Sequence, residues 1–288
     1  MKFTTYLRQG APRLAVVDGD SFIDLNDAQP HVPSDLRAVL HQGIDLLAAA
    51  RTALAGSTTR QPLATATLAP LVPDPGKTVC LGLNYFDHAK EGGRDKPDYP
   101  WFFYRGSSSL IAHGAAGVVP KVSSRFDYEA ELAVVIGRRV PRHTPQADAL
   151  QYVLGYSCFN DMSVRDYQKR TPQWTIGKNF DGTGAFGPML VTADELPPGA
   201  VGLKIQGRLN GAVMQDANTS DMIFNVAETI ALLAEVLTLE PGDVIAMGTP
   251  AGVGQARTPP VWMKAGDTYE VAIEGIGTLV NPIVNEAA

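Results

Sequence analysis

Cysteine is nearly absent: Cys80 and Cys158 are the two in 288 residues. They form no C-x-x-C pair and sit in apolar stretches, which argues against a disulfide framework and points to buried free thiols in a reducing compartment. Excess charge is also scarce. The net charge is −6 with a pI of about 5.4, and no Lys/Arg run occurs, so nucleic acid and anionic membrane are poor partners. No apolar run approaches the length of a membrane span. The opening MKFTTYLRQGAPRLAVV alternates as strands do and lacks the apolar core and cleavage site of a signal peptide, so a cytoplasmic location is expected. Two phosphate-binding fingerprints are missing as well. The run MGTPAGVG, residues 247–254, lacks the Gly-Lys-Ser/Thr ending of a Walker A loop, and no βαβ unit follows it. There is no internal repeat and no low-complexity tract.

What is present suits a globular chain. Hydrophobic residues at 45% and aromatics at 8% supply an ample core for one large domain, alone or with a small one. Residues 1–70 read as a small α+β domain. Two short strands (KFTTYLR, RLAVVDG) lead into one helical stretch, SDLRAVLHQGIDLLAAARTALA, opened by Ser34 as N-cap. Leu36, Val39, Leu40, Ile44 and Leu47 fall on one face of it. The Pro-rich LAPLVPDPGK connects to a second domain, giving boundaries of 1–70 and 71–288. That second domain is mainly β: TVCLGLN, WFFYRG, GVVPK, YEAELAVVIG, VLGYSCFND, GPMLVTA, LKIQGRLNG, DVIAMGT and TYEVAIEGIGTLVNP are candidate strands. Asn210-Gly211 marks a hairpin turn, and FNVAETIALLAEVLTL is one amphipathic helix ending at Pro241-Gly242. Few helices among many strands argue for a rolled or sandwiched β-domain rather than a doubly wound α/β fold.

Three acids carry the chemistry. Glu129 and Glu131 lie two apart in FDYEAELAVVIG, so in a strand they project side by side. Ala133 and Val135 share that face, which marks it as covered. Neighbouring carboxylates on a covered face need protons or a cation, and Asp161, arriving at the end of GYSCFND, favours the cation. Hard oxygen ligands in this number suit Mg²⁺ or Mn²⁺ with coordination positions left open. Cys158 points to the opposite face and is not counted as a ligand.

Other residues could act beside such a cation. His88 and Glu91 are three apart in GLNYFDHAKEGG; on a helix they are neighbours, and the pair makes a general base near neutral pH. The polar EGGRDKPDYP that follows suits a loop closing over a site. Arg165 and Gln168 follow closely on Asp161, and Lys178 lies between Gly177 and Asn179. The backbone N–H groups of MGTPAGVG and the Thr249 hydroxyl could hold a carboxylate or phosphate; alone, the run reads as a tight turn. His31, His41, His113 and His143 show no partner and read as structural or exposed.

Taken in order, the strings GLNYFDHAKE, DYEAELAVVIG, GYSCFNDMSVRDYQ, GKNFDGTGAFGP, LNGAVMQDANTSDMIF and GTPAGVG resemble the fumarylacetoacetate hydrolase family over residues 75–284. The resemblance implies a mixed β-roll/sandwich catalytic domain behind a small N-terminal one, a homodimer, and a bound Mg²⁺ or Mn²⁺. It assigns the metal to Glu129, Glu131 and Asp161. His88 and Glu91 would form the base on a lid helix; Lys178 and Gln168 would stabilise oxyanions and position water. Arg105 (in FFYRGSSS), Arg165 and Thr249 would line the substrate. A 2-oxo or 2,4-dioxo acid is the implied small-molecule partner. The leading expectation is hydrolysis of a C–C bond in an acylpyruvate, begun by water that His88 deprotonates. Decarboxylation or isomerisation of a 2-oxo diacid such as oxaloacetate is the neighbouring expectation, and a β-scaffold with a structural cation is the non-catalytic one.

Overall fold

The computed structural model describes residues 1–287. Its centre is the strand Ala130–Ile136, buried along its whole length between Val153–Asp161 and Val244–Ala246. Such a strand has no solvent face, which explains why its sequence, AELAVVI, is apolar at every position but Glu131. These strands belong to an 11-stranded mixed sheet. Trp101–Arg105 and Thr78–Gly82 lie beyond Val244–Ala246, and Gly184–Thr192 lies on the other side of Val153–Asp161. A second, 5-stranded sheet contains Ala212–Asn218, Lys204–Leu209, Thr268–Ile273, Gly277–Asn285 and Gly117–Val119.

Side-chain alternation on the central strand divides the core in two. Ala130, Leu132 and Val134 meet Ile205, Val271 and Leu279 of the second sheet. Ala133 and Val135 face Phe3, Leu14, Leu36, Val39 and Leu46 from the first 70 residues. Mixed, layered sheets with few helices match the mainly β, α+β reading. Lys2–Arg8 pairs directly with Gly184–Thr192, so the large sheet continues across the expected boundary near residue 70. Among the described residues no helix is long and apolar enough to cross a membrane.

Three local expectations change. The single helix opening at Ser34 is two helices, Leu36–His41 and Leu46–Gly56. Asp35 and Asp45 cap them, accepting from the N–H groups of Ala38 and Ala48. The apolar spacing continues through the break, so periodicity alone concealed it. TYEVAIEGIGTLVNP is likewise a hairpin of Thr268–Ile273 and Gly277–Asn285, turning through 274–276. The long amphipathic helix stops at Val236, short of Pro241. The Asn210-Gly211 turn is as expected: both residues have positive φ, 51° and 79°, as a type I′ hairpin requires.

Candidate active site

Glu129, Glu131 and Asp161 converge because the strands Ala130–Ile136 and Val153–Asp161 are antiparallel, with Ala130 opposite Asn160. The Asp161 N–H donates to the Glu129 carbonyl at 3.0 Å and fastens the two strand ends together. All three acids are buried, and one oxygen from each lies within 4.8 Å of the others. Three cations surround them. Lys178 Nζ sits 2.8 Å from Glu129 Oε2 and 2.6 Å from Asp161 Oδ2. Arg165 Nη1 is 2.7 Å from Glu129 Oε1, and its Nε is 2.8 Å from Asp127 Oδ2. Arg105 donates through Nε to Asp161 Oδ1.

This arrangement treats the acids unequally. Burial opposes ionisation of Glu129, yet Lys178 and Arg165 hold its pKa down to about 2. Glu131 has no such partner. Burial first, then Asp161 and Glu129, push it well above the usual carboxylate range. Its Oε2 accepts the Gly248 N–H at 3.0 Å, while its buried Oε1 has no partner. An orphaned carboxylate oxygen beside two more carboxylates is the environment a hard divalent ion satisfies, so the residues present fit such an ion.

Glu129 opens onto a cavity of about 450 Å³ that His88, Glu91, Arg165, Gln168, Lys178 and Thr249 also line. The helix Phe86–Glu91 places His88 Nδ1 2.7 Å from Glu91 Oε1. The Gly-rich run beneath it does bind carboxylates, and they are the protein's own. Gly248 N–H donates to Glu131, Gly252 N–H to Glu91 Oε2 at 2.9 Å, and Gly254 N–H to Asp127 at 2.7 Å. One loop therefore holds an acid of the triad and the acid of the His88 pair together.

Seven of the ten residues singled out from sequence line this cavity: His88, Glu91, Glu129, Arg165, Gln168, Lys178 and Thr249. Glu131 and Asp161 lie fully buried beside it. Arg105 departs from expectation. Its side chain is 0% exposed and spends its donors on Asp161, the Met162 carbonyl and Thr183, so it orients a triad acid and does not line the substrate. Lys178 is more committed than an oxyanion donor would be, since two carboxylates hold it. His113 is half-buried, its Nδ1 accepting the Val280 N–H at 3.1 Å, while His31, His41 and His143 are exposed.

Sequence reasoning missed Asp127, Asn84 and Trp174. Asp127 continues the alternation of Glu129 and Glu131 backwards by two, a signal that was available. Asn84 donates to the carbonyls of Phe224 and Met247, joining distant loops. Trp174 lies on the backbone of Gly82, where a Cβ would come within 2.0 Å of its ring; glycine there lets the indole form the cavity wall.

Comparison with known proteins agrees with this architecture. Residues 77–284 match the family described as Fumarylacetoacetate (FAA) hydrolase C-terminal. The chain belongs to the fumarylacetoacetate hydrolase family. A mitochondrial oxaloacetate tautomerase of Homo sapiens, FAHD2A, is 40% identical over 269 residues, covering 93% of this chain and 85% of the human protein. The structure of a fumarylacetoacetate hydrolase from Exiguobacterium antarcticum superimposes with a TM-score of 0.85 at 32% identity, covering 99% of this chain and 100% of that one. A maleylpyruvate hydrolase from Sphingobium sp., in complex with manganese(II) and pyruvate, gives a TM-score of 0.83 at 30% identity, covering all of both chains. The family is enzymatic and includes hydrolases, isomerases and tautomerases.

Proposed function

We propose that this protein catalyses enol–keto proton transfer on a 2-oxo acid, with oxaloacetate the first candidate, at a site holding Mg²⁺ or Mn²⁺ on Glu129, Glu131 and Asp161. The observation that carries the reading is the His88–Glu91 pair on the same cavity as Glu129. When bound, a divalent ion supplies Lewis-acid polarisation and fixes the substrate's orientation. With His88 Nδ1–H donated to Glu91, Nε2 is left to take up and return a proton. In the enol-to-keto direction the O–H bond at C2 breaks and a C–H bond forms at C3, so one proton is taken and one returned. Glu91 stabilises the imidazolium formed between those events, and the Gly252 N–H keeps Glu91 in place. Arg165 lines the cavity and keeps one buried nitrogen, Nη2, without a partner.

Hydrolysis asks for more: a positioned water and a stabilised oxyanion at the distal carbonyl. Lys178 already serves two carboxylates, and Gln168 Oε1 accepts from Arg165 at 3.0 Å. Tautomerisation needs neither group, and the human relative bears that activity in its name. C–C hydrolysis is the second reading, favoured by the free amide nitrogen of Gln168 and by the likeness to a maleylpyruvate hydrolase.

The deciding measurement follows loss of the enol's ultraviolet absorbance in freshly dissolved oxaloacetate, with Mn²⁺ or Mg²⁺ and again with EDTA. Acceleration abolished by EDTA is expected. Release of pyruvate from an acylpyruvate without acceleration on oxaloacetate would move the assignment to hydrolysis, and no turnover of either would overturn both.

A further inference from the structure

Two cations at the cavity are matched by no acid. Its lining includes Arg94, Arg165, Lys169 and Lys178, of which Arg165 and Lys178 pair with Asp127, Glu129 and Asp161. Glu129 is held by Arg165 and Lys178, and Glu91 by His88 and the Gly252 N–H. Among the described residues Arg94 and Lys169 have no ion-pair partner, and the side chain of neither makes a hydrogen bond.

Both are nevertheless placed. The Arg94 guanidinium lies 4.9 Å from the centre of the Trp101 ring, and Trp101 stacks on Trp174 at 5.3 Å. Stacking secures the flat face of a guanidinium and leaves its N–H edge free for a planar acceptor. Lys169 directly follows the short helix Arg165–Gln168, so it stands beside two cavity-lining groups. Burial, then the charges of Arg165 and Arg125, push its pKa down. A separate observation lies deeper: Arg165, which lines the cavity, is 2% exposed, and its buried Nη2 has no partner. A second anionic group on the ligand would pair with the two cations left over.

We propose that Lys169 and Arg94 form a subsite for the distal carboxylate of a 2-oxo diacid, selecting dicarboxylates over monocarboxylates of the same length. The subsite rests on the functional reading above for the proximal end of the substrate, but selection by charge does not depend on which reaction follows.

The test pairs reactive and unreactive ligands. Oxaloacetate and acetopyruvate share the 2-oxo acid end and an enolisable carbon, and differ in a distal carboxylate against a distal acetyl. Lys169→Met and Arg94→Met should each lower the ratio of kcat/KM for oxaloacetate to that for acetopyruvate by about 10- to 100-fold, the worth of one charge-assisted hydrogen bond. The change should fall on KM, and Lys169→Arg should restore most of it. Calorimetry on the Mn²⁺-loaded protein supplies a readout free of turnover, using malate against 2-hydroxybutyrate. Preferential binding of malate, lost in Lys169→Met, supports the subsite even if no substrate is turned over, in which case the functional reading alone fails. Equal affinity of the native protein for malate and 2-hydroxybutyrate would overturn the subsite.

Discussion

On the buried side of the cavity each cation faces a carboxylate, whereas at the mouth Arg94 and Lys169 face none. Lys178, Arg165 and Arg105 are each 3% exposed or less, and ion pairs with Glu129 and Asp161, acids at paired strand ends, hold them whether or not a ligand is present. His88 and Glu91 are more open, with side chains 11% and 21% exposed, on a six-residue helix tethered by the Gly252 N–H. The buried end is organised by the fold in advance, and the mouth presents groups that only a ligand completes. Stability and chemistry should therefore respond to mutation at different ends.

The largest effect tests the buried end. Lys178→Met removes the cation between Glu129 and Asp161 and should cost about 3–5 kcal/mol in denaturant unfolding with EDTA present. Part of that loss should return with Mn²⁺, and an unchanged unfolding midpoint would break the contrast. At the mouth, His88→Ala should lower kcat by about 10²- to 10⁴-fold while leaving the unfolding midpoint in place. A large shift in that midpoint would show the lid helix to be part of the folded frame instead.

A control comes from an ion pair outside the cavity. Asp24 is 3% exposed, accepts from Arg13 at 2.7 and 2.8 Å, and accepts the Tyr6 hydroxyl at 2.7 Å. Asp24→Asn should cost about 1–3 kcal/mol and leave kcat unchanged. Burial opposes its charge, yet Arg13, the Asp27 N–H and Tyr6 hold Asp24 below the usual carboxylate range. Its contribution is therefore full above the unfolded carboxylate value of about 3.9 and is lost as the pH falls through the folded value. Unfolding curves of native protein and Asp24→Asn should converge in acid.

The smallest effect belongs to His113, whose pKa burial lowers. Its contribution is present above the unfolded imidazole value of about 6.5 and declines as the pH falls towards the folded one. In His113→Asn that part of the stability slope should disappear.

Legibility in the sequence follows the range of the contacts involved. Strands declared themselves through local alternation, and Glu129 with Glu131 needed only the period of two. His88 and Glu91 needed only a helical turn. What escaped were contacts between residues far apart in the chain: Arg105 with Asp161, Lys178 with Glu129, and Asp127 with Gly254. No local pattern reveals which cation a buried acid will meet. Turns inside a continuing pattern escaped too, as between His41 and Leu46 and again near Gly275, because apolar spacing resumed in phase on the far side.

The pairing of Lys2–Arg8 with Gly184–Thr192 has a practical side for anyone shortening the gene. A version beginning at residue 71 would contain the whole family match, residues 77–284, and keep every group around the cavity. It would also strip the partner from one sheet edge and uncover Ala133, Val135, Phe159 and Phe186, which pack on the first 70 residues. A bare edge beside a wide greasy face invites chains to pair with one another. Such a truncation should emerge in inclusion bodies even though nothing chemical was removed.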